Sequence, residues 1–354
     1  MPVVAKLKVV RSGTWTNPIF DQILEQDAAI DPSVFAITGE DQNSWQKLEQ
    51  AHIYHLMAAR DDLPHQWHVA EELLARCPSL LCVSSSGAGY DTIDVDACTK
   101  AGVAVVNQAG GNAISVAEQT IGLMIAVSRR LCEQDRRLRS GERFSREAVM
   151  GFDISGRVLG LIGMGHIGTR VTHLARAFDM TVLATDPYLS AEEITLRGAE
   201  PVAMDELLSR CDIVSLHCPR NKETTGMFNA QAFSTMKPGA IFITTARGGI
   251  HDEAALAEAL QSGHLGGAGL DVWAVEPPPA DHPLLAMQNV VATHHTAGVS
   301  HDARFNIAKI AAEQIQLLVK GNRPPRLVNP EVWGVYKQRL EEYLERPASA
   351  VHYQ

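Results

Sequence analysis

Residues 158–186 read VLGLIGMGHIGTRVTHLARAFDMTVLATD, and the fold is decided in this stretch. The apolar run Val158 to Ile162 predicts a buried parallel strand; Gly163, Gly165 and Gly168 follow in G-x-G-x-x-G spacing, then a helical stretch, then a second apolar run ending in an acid. Strand, glycines, helix and acid in that order are the fingerprint of a dinucleotide-binding βαβ unit. Gly163 allows the tight turn out of the strand, Gly165 lets a pyrophosphate approach the backbone, and Gly168 lets the helix lie close to the strand. The first helical turn, with His166 and Ile167, presents N–H groups and a positive dipole end to phosphates. Asp186, followed by Pro187, stands where an acid accepts hydrogen bonds from the adenosine ribose and repels a 2′-phosphate. NAD is therefore expected over NADP, and NADH over NADPH.

Working outward, 354 residues suffice for two domains with sizeable cores. A net charge of −10 with no basic patch gives no attraction to nucleic acid or anionic membrane. The start, MPVVAKLKVV, lacks a signal peptide's apolar core, and no apolar run reaches membrane-spanning length. A soluble, cytoplasmic protein is expected. The six cysteines are scattered without a CxxC pair, which suggests buried reduced thiols and neither a disulfide framework nor a metal site.

Before the fingerprint, Leu7 to Val10, Val34 to Thr38, Ile53 to Ala58 and Leu80 to Ser84 predict strands, with helical spacing at Pro18 to Gln26 and His65 to Arg76. Strands alternating with helices predict a parallel sheet covered on both faces. SSSGAGYDTID (Ser84 to Asp94) then places Gly87 and Gly89 at a strand's C-terminal end, where open α/β sheets bind ligands. The N–H groups around Ala88 and Gly89 read either as a small nest for a carboxylate or as a plain glycine turn. Val103 to Asn107 predicts a strand, and Ala113 to Arg130 an apolar helix long enough to be a spine between two lobes. The charged segment Glu133 to Arg146 reads as an arm reaching a second subunit or as a surface excursion. After the fingerprint the alternation resumes: a helix at Glu206 to Ser209, strands at Ile213 to Leu216 and Phe242 to Thr245, a helix at Glu253 to Gln261, and strands at Gly269 to Val272 and Asn289 to Thr293. Ser300 to Lys320 has the period and length of a helix returning to the first lobe. Beyond Asn329 an amphipathic stretch, Val332 to Leu344, precedes a tail expected to fray.

Three strand-end loops carry polar residues that packing does not require: Arg247 in TTARGGIHD, Glu276 in GLDVWAVEPP and His295 in VVATHHTAGV. In a doubly wound sheet all three emerge on the edge where Gly163 turns. Hydride transfer between a nicotinamide and a carbinol carbon needs a proton donor or acceptor for the oxygen, which histidine supplies near neutral pH. A carboxylate partner orients the imidazole and stabilises its protonated form. An arginine suits a substrate carboxylate and a polarised carbonyl oxygen.

With these residues in place the chain resembles the D-isomer-specific 2-hydroxyacid dehydrogenase family over nearly its whole length. The stretches that carry the resemblance are SGAGYDTIDVDAC, NAISVAEQTIGLMIAVSRR, VLGLIGMGHIG, HCPRNKETTGMF, MKPGAIFITTARGGIHDEAAL, GGAGLDVWAVEPP and NVVATHHTAG. The resemblance implies an α/β fold of two doubly wound domains. One is a Rossmann NAD-binding domain over 109–299, and the other a flavodoxin-like substrate domain over 1–108 plus 300–354. The active site is expected in the cleft between the lobes, and the assembly is expected to be a homodimer formed through the cofactor domain. Arg247 is implied as the substrate-binding arginine, Glu276 as the carboxylate paired to histidine and His295 as the acid/base. Ala88 and Gly89 are implied as a backbone cradle for the substrate carboxylate. Ala117, Pro219, Thr224, Ala246 and Asp271 join the fingerprint residues as cofactor contacts, with Asp271 on the nicotinamide carboxamide side.

Two positions depart from the family pattern: His294 stands where proline usually precedes the catalytic histidine, and His251 where a small aliphatic residue is usual. Around the substrate's distal end lie Met57, Ala58, Ala59 and Arg60; Arg60 reads as a contact for a second anion or as a solvated loop residue. Phosphoglycerate dehydrogenases would carry a basic residue nearer Met57, and many have a regulatory domain that this chain ends without. Glyoxylate or hydroxypyruvate is therefore the expected kind of 2-keto acid. The alternatives are an NAD-sensing interaction protein like the corepressor relatives and a formate- or phosphite-type dehydrogenase.

Overall fold

The computed structural model describes residues 6–37 and 42–345. The chain divides into two compact units, the first from Met1–Asn112 with His301–Gln354, the second from Ala113–Ser300.

The first unit holds strands β1 (Leu7–Ser12), β2 (Ile30–Phe35), β3 (Ile53–Leu56), β4 (Cys82–Ser85) and β5 (Ala104–Val106). They pair in parallel in the order β2-β1-β3-β4-β5, the flavodoxin-like doubly wound order. Every residue of β3, β4 and β5 is buried, which is why these strands are mostly apolar, with His55, Ser84 and Ser85 as the buried polar exceptions. One face is covered by the helices Ile19–Glu25, His301–Val319 and Trp333–Leu344, whose Phe20, Leu24, Ile315 and Tyr336 meet Leu7, Val9 and Ile53. The other packs Trp67, Leu73, Leu74 and Ala97 against Tyr54, Val83 and Val105.

Two expected elements differ here. The strand expected at Val34 to Thr38 runs earlier, from Ile30, and Thr38 itself lies outside the described residues. Its sequence, IDPSVF, hides the strand because β2 is an edge: pairing only with β1, it tolerates Pro32 and needs little apolar alternation. The helix expected over His65 to Arg76 is broken into a 3₁₀ turn, His65–Trp67, and a helix, Glu71–Arg76. Between them Val69 N–H donates to Thr92 O at 2.9 Å, which pulls the backbone into a bridge. The tail beyond Glu345 lies outside the described residues.

The second unit holds β6 (Val158–Ile162), β7 (Thr181–Thr185), β8 (Glu200–Pro201), β9 (Ile213–Leu216), β10 (Ile241–Thr244), β11 (Gly267–Leu270) and β12 (Val290–Ala292). The order β12-β11-β10-β9-β6-β7-β8, parallel throughout, is the Rossmann arrangement with one further strand, and the order reverses between β6 and β9. β8, two residues at the edge, carries no pattern from which it could have been read. The helix Ala113–Ser128 packs Ala117, Ile121 and Met124 into the cluster containing Leu159, Leu161 and Ile243. The arginine-rich segment after it is helical over Leu131–Arg139, with Glu133 buried between Arg130 (2.7 Å) and Arg137 (3.3 Å). No helix among the described residues is long and apolar enough to cross a membrane. All six cysteines are free thiols, and four of them are buried.

Three buried histidines, His52, His55 and His251, and the half-buried His217 are held as neutral rings. Burial lowers His55 and His217 to about 3 and His52 and His251 to about 4, with Lys8 adding to the shift at His52. The unfolded chain protonates these rings near the ordinary 6.5, so between that value and the folded ones it binds more protons than the native state. Stability is full above pH 6.5 and declines as pH falls toward 4. Both ring nitrogens of His251 lack a hydrogen-bond partner. His251→Leu is therefore expected to raise the urea midpoint and to flatten its decline between pH 7 and 4.5; equal slopes for parent and variant would refute this.

Candidate active site

The glycine loop after β6 is built by close approach. Gly163 turns the chain at φ +98°, and a Cβ there would stand 2.8 Å from the Cys218 nitrogen and the His217 carbonyl carbon. A Cβ on Gly168 would fall 2.2 Å from Gly163 O, so the helix His166–Ala177 can lie against the turn only with glycine there. At Gly165 nothing lies within 4 Å of a Cβ position, and no side chain caps the helix at this residue. An open backbone face at an uncapped helix N-terminus fits a pyrophosphate. Asp186 Oδ2 accepts the Met164 N–H at 2.9 Å and Oδ1 the Tyr188 N–H at 3.0 Å, tying the glycine loop to the end of β7. Pro187 is exposed beside it.

Three residues here were not anticipated. Arg197 donates to Met164 O in the glycine loop. Tyr188 Oη donates to Glu223 at 2.7 Å, joining the loop after β7 to the turn that contains Pro219 and Thr224. That turn is closed by Thr224 Oγ1 donating to Pro219 O at 2.7 Å. Single residues of this kind carry no periodicity; only their place beside the glycine loop, Asp186 and Pro219 marks them.

Arg247, Glu276 and His295 lie just past the C-terminal ends of β10, β11 and β12. The structure brings these three loops together. Gly248 lies so close on the next loop that a Cβ would overlap Trp273 O at 1.7 Å. Arg247 Nη1 donates to Ala246 O at 2.7 Å, and its charge is felt at Glu276. Glu276 Oε1 accepts the Trp273 N–H at 3.0 Å, while Oε2 meets His295 Nδ1 at 2.6 Å. Burial works to raise the Glu276 pKa, but the hydrogen bonds from His295 and Trp273 and the nearby charges of His295 and Arg247 outweigh it, and the net shift is downward. An ionised carboxylate only accepts, so Nδ1 carries the proton and Nε2 is left for a substrate oxygen.

The His295 backbone is left-handed, φ +46°, and its N–H donates to Asp271 O at 2.7 Å. Asp271 is fully buried beneath the same loop. Its Oδ1 accepts from Thr293 Oγ1 at 2.6 Å and Thr296 N–H at 2.9 Å, and its Oδ2 from Ala297 N–H at 3.0 Å. The place the structure gives Asp271 is thus the support of the histidine loop. Ala246 is buried behind Arg247, and Ala117 is fully buried in the apolar cluster with packing as its visible role. His294 is exposed, and His251 is buried with its ring 5.5 Å from Phe242.

In the first unit, the carbonyls of Gly87, Ala88 and Gly89 accept hydrogen bonds from Gln108 N–H (2.8 Å), Asn107 Nδ2 (2.8 Å) and Ser85 Oγ (2.5 Å). The Ala88 and Gly89 N–H groups donate to no acceptor among the described residues. Arg60 is exposed and donates to Asp91 O at 2.9 Å.

A Rossmann sheet with this glycine loop, and with arginine, glutamate and histidine gathered on its C-terminal edge, defines a nucleotide-dependent dehydrogenase fold. The family profile described as "D-isomer specific 2-hydroxyacid dehydrogenase, NAD binding domain" matches residues 121–297, and the chain belongs to that family. It is 41% identical to D-3-phosphoglycerate dehydrogenase of Archaeoglobus fulgidus over 72% of this chain and 48% of that one. It is 39% identical to glyoxylate reductase of Korarchaeum cryptofilum over 74% of this chain and 80% of that one. The crystal structure of a glyoxylate reductase from Paecilomyes thermophila superposes with TM-score 0.82 at 26% identity, covering 94% of this chain and 99% of that one. The chain spans about half the length of the phosphoglycerate dehydrogenases it matches.

Asp271→Ala would leave three donors of the histidine loop without their acceptor. A loss on the order of 2–4 kcal/mol is expected in chemical denaturation, together with faster amide exchange over residues 293–297; unchanged exchange there would show the loop to be held by other means.

Proposed function

We propose that this chain is an NAD-dependent oxidoreductase interconverting a D-2-hydroxyacid and its 2-keto acid, with small acids such as glyoxylate or hydroxypyruvate as first candidates. The observation that carries the proposal is the 2.6 Å contact between His295 Nδ1 and Glu276 Oε2, with Arg247 acting on the same carboxylate. The fingerprint residues Gly163, Gly165, His166, Ile167, Gly168, Asp186 and Pro187 would hold the dinucleotide, together with Pro219, Thr224 and Ala246, while Asp271, its oxygens already engaged, supports the loop beneath. NADH, when bound, supplies the hydride. His295 Nε2 gives a proton to the oxygen that develops charge during reduction and removes it during oxidation. Glu276 keeps the ring oriented and stabilises its protonated form. Arg247 binds the substrate carboxylate and polarises the carbonyl. In the first unit, the Ala88 and Gly89 N–H groups are a proposed carboxylate-binding cradle.

The preference for small acids is supported by the buried Met57 and by Arg60, exposed and engaged with Asp91 O. A cytoplasmic homodimer is proposed as the working form, with the segment bearing the exposed Leu138, Met150 and Phe152 as the contact between copies.

NADH oxidation is expected with at least one of glyoxylate, hydroxypyruvate, pyruvate and phenylpyruvate, and 3-phosphoglycerate should be oxidised more slowly than glycolate or glycerate. His295→Ala should lower kcat about a hundredfold to ten-thousandfold. NADH binding without turnover across the panel would favour a nucleotide-sensing interaction protein, and turnover of formate or phosphite a different dehydrogenase. NADH should outperform NADPH, and Asp186→Ser should narrow that gap; equal use of both by the parent would overturn the role given to Asp186.

A further inference from the structure

The loop that carries Glu276 has a second anchor. Glu253 opens the helix Glu253–Gln261, which continues the chain from the arginine loop. Its Oε1 accepts the Ala274 N–H at 2.7 Å, and its Oε2 lies 3.1 Å from His282 Nε2. His282 Nδ1 accepts the Leu284 N–H at 3.3 Å. That nitrogen therefore holds a lone pair, the ring proton sits on Nε2, and it points at Glu253. The His282 ring stands edge-on to Trp273, centroids 5.5 Å apart. Both members of the pair are only 15% exposed, so water competes weakly for either.

Trp273 and Ala274 are the residues through which this pair reaches the acid/base. The Trp273 N–H donates to Glu276 Oε1, its indole N–H donates to Thr293 O at 3.0 Å, and Gly248 beside Arg247 packs on its carbonyl. We propose that Glu253 and His282 are positioning residues, a second carboxylate–imidazole pair that clamps the 273–276 loop to the helix after Arg247 and so holds Glu276 at its hydrogen-bonding distance from His295. Neither residue touches the reacting atoms. The pair acts as outer-shell partners of a catalytic group do, by removing slack from the group they hold. Displacement of a reacting group by about 1 Å costs on the order of a hundredfold in rate. The kinetic consequence rests on the function proposed above, whereas the geometric one does not.

The test therefore has an arm that needs no turnover. The proton shared between His295 Nδ1 and Glu276 gives a downfield proton NMR resonance, assigned by its loss in His295→Ala. In Glu253→Ala this resonance should move upfield or broaden, kcat with the best 2-keto acid should fall ten- to a hundredfold, and NADH affinity by fluorescence titration should stay within about twofold of the parent. Glu253→Gln keeps an acceptor for the Ala274 N–H but sets its amide N–H against the His282 N–H, so it should recover only part of kcat. An unshifted resonance with parental kcat, and only a lower melting temperature, would overturn the proposal and leave the pair a fold-stabilising contact. If the parent turns over no 2-keto acid, the proposed reaction fails, and the resonance alone decides on the pair. If Glu253→Ala does not fold, His282→Gln is the deciding variant: a shift in the same direction supports the clamp, and none overturns it.

Discussion

The second unit's chemistry depends on a buried carboxyl group whose oxygens are all spoken for. Asp271 is shielded from water, and three donors from residues 293–297 converge on it while its own carbonyl takes the His295 N–H. A buried acceptor without partners is costly, so this set is satisfied together or not at all. Its consequence is the left-handed backbone at His295, a conformation that a β-substituted residue adopts only when its surroundings enforce it. That backbone aims Nδ1 at Glu276.

The same logic extends outward through neighbouring loops. Gly248 has no side chain because the Trp273 carbonyl occupies the space, and Trp273 in turn holds both Glu276 and Thr293. Three strand ends that are parallel neighbours therefore become one rigid edge. The glycine turn on β6 is bound to the adjacent strand end in a comparable way, with the Asp186 carboxylate receiving the Met164 N–H. Acids on this edge thus do double service: each one orders the loop of its neighbour while presenting the chemistry expected of it.

Much of this was legible in the sequence because central strands are fully buried and must be apolar. Ile213–Leu216 and Val158–Ile162 occur where the apolar runs put them, and the helix Glu253–Gln261 where its period does. The edges were not legible. Ile30–Phe35 and Glu200–Pro201 each bond to a single neighbour, tolerate proline and carry no alternation. At the site, Arg247, Glu276 and His295 could be found because each is a polar residue just beyond an apolar strand. Glu253 and His282 sit 29 residues apart, one inside a helix and one in a loop, and only the folded backbone brings them together. The support Asp271 gives to residues 293–297 was hidden for the same reason: it depends on the loop's backbone N–H groups, which have no sequence signature.

Histidine shows how far environment, and not residue type, assigns a role here. His295 is partly exposed and faces an ionised carboxylate, so one nitrogen is fixed and the other can exchange a proton with a ligand. His282 has both nitrogens committed, one to Glu253 and one to the Leu284 N–H, and can only hold a loop. His217 keeps one nitrogen near Ser215 Oγ at 3.0 Å while the other is buried without a partner. His251 has no partner at either nitrogen and lies among aromatic rings, where burial keeps it neutral. A neutral ring of this kind fills space as a small aliphatic residue would, at the cost of two unmet polar atoms. Its position after the arginine loop therefore bears on acid stability and not on proton transfer, since a ring that binds a proton only near pH 4 has none to give at neutral pH.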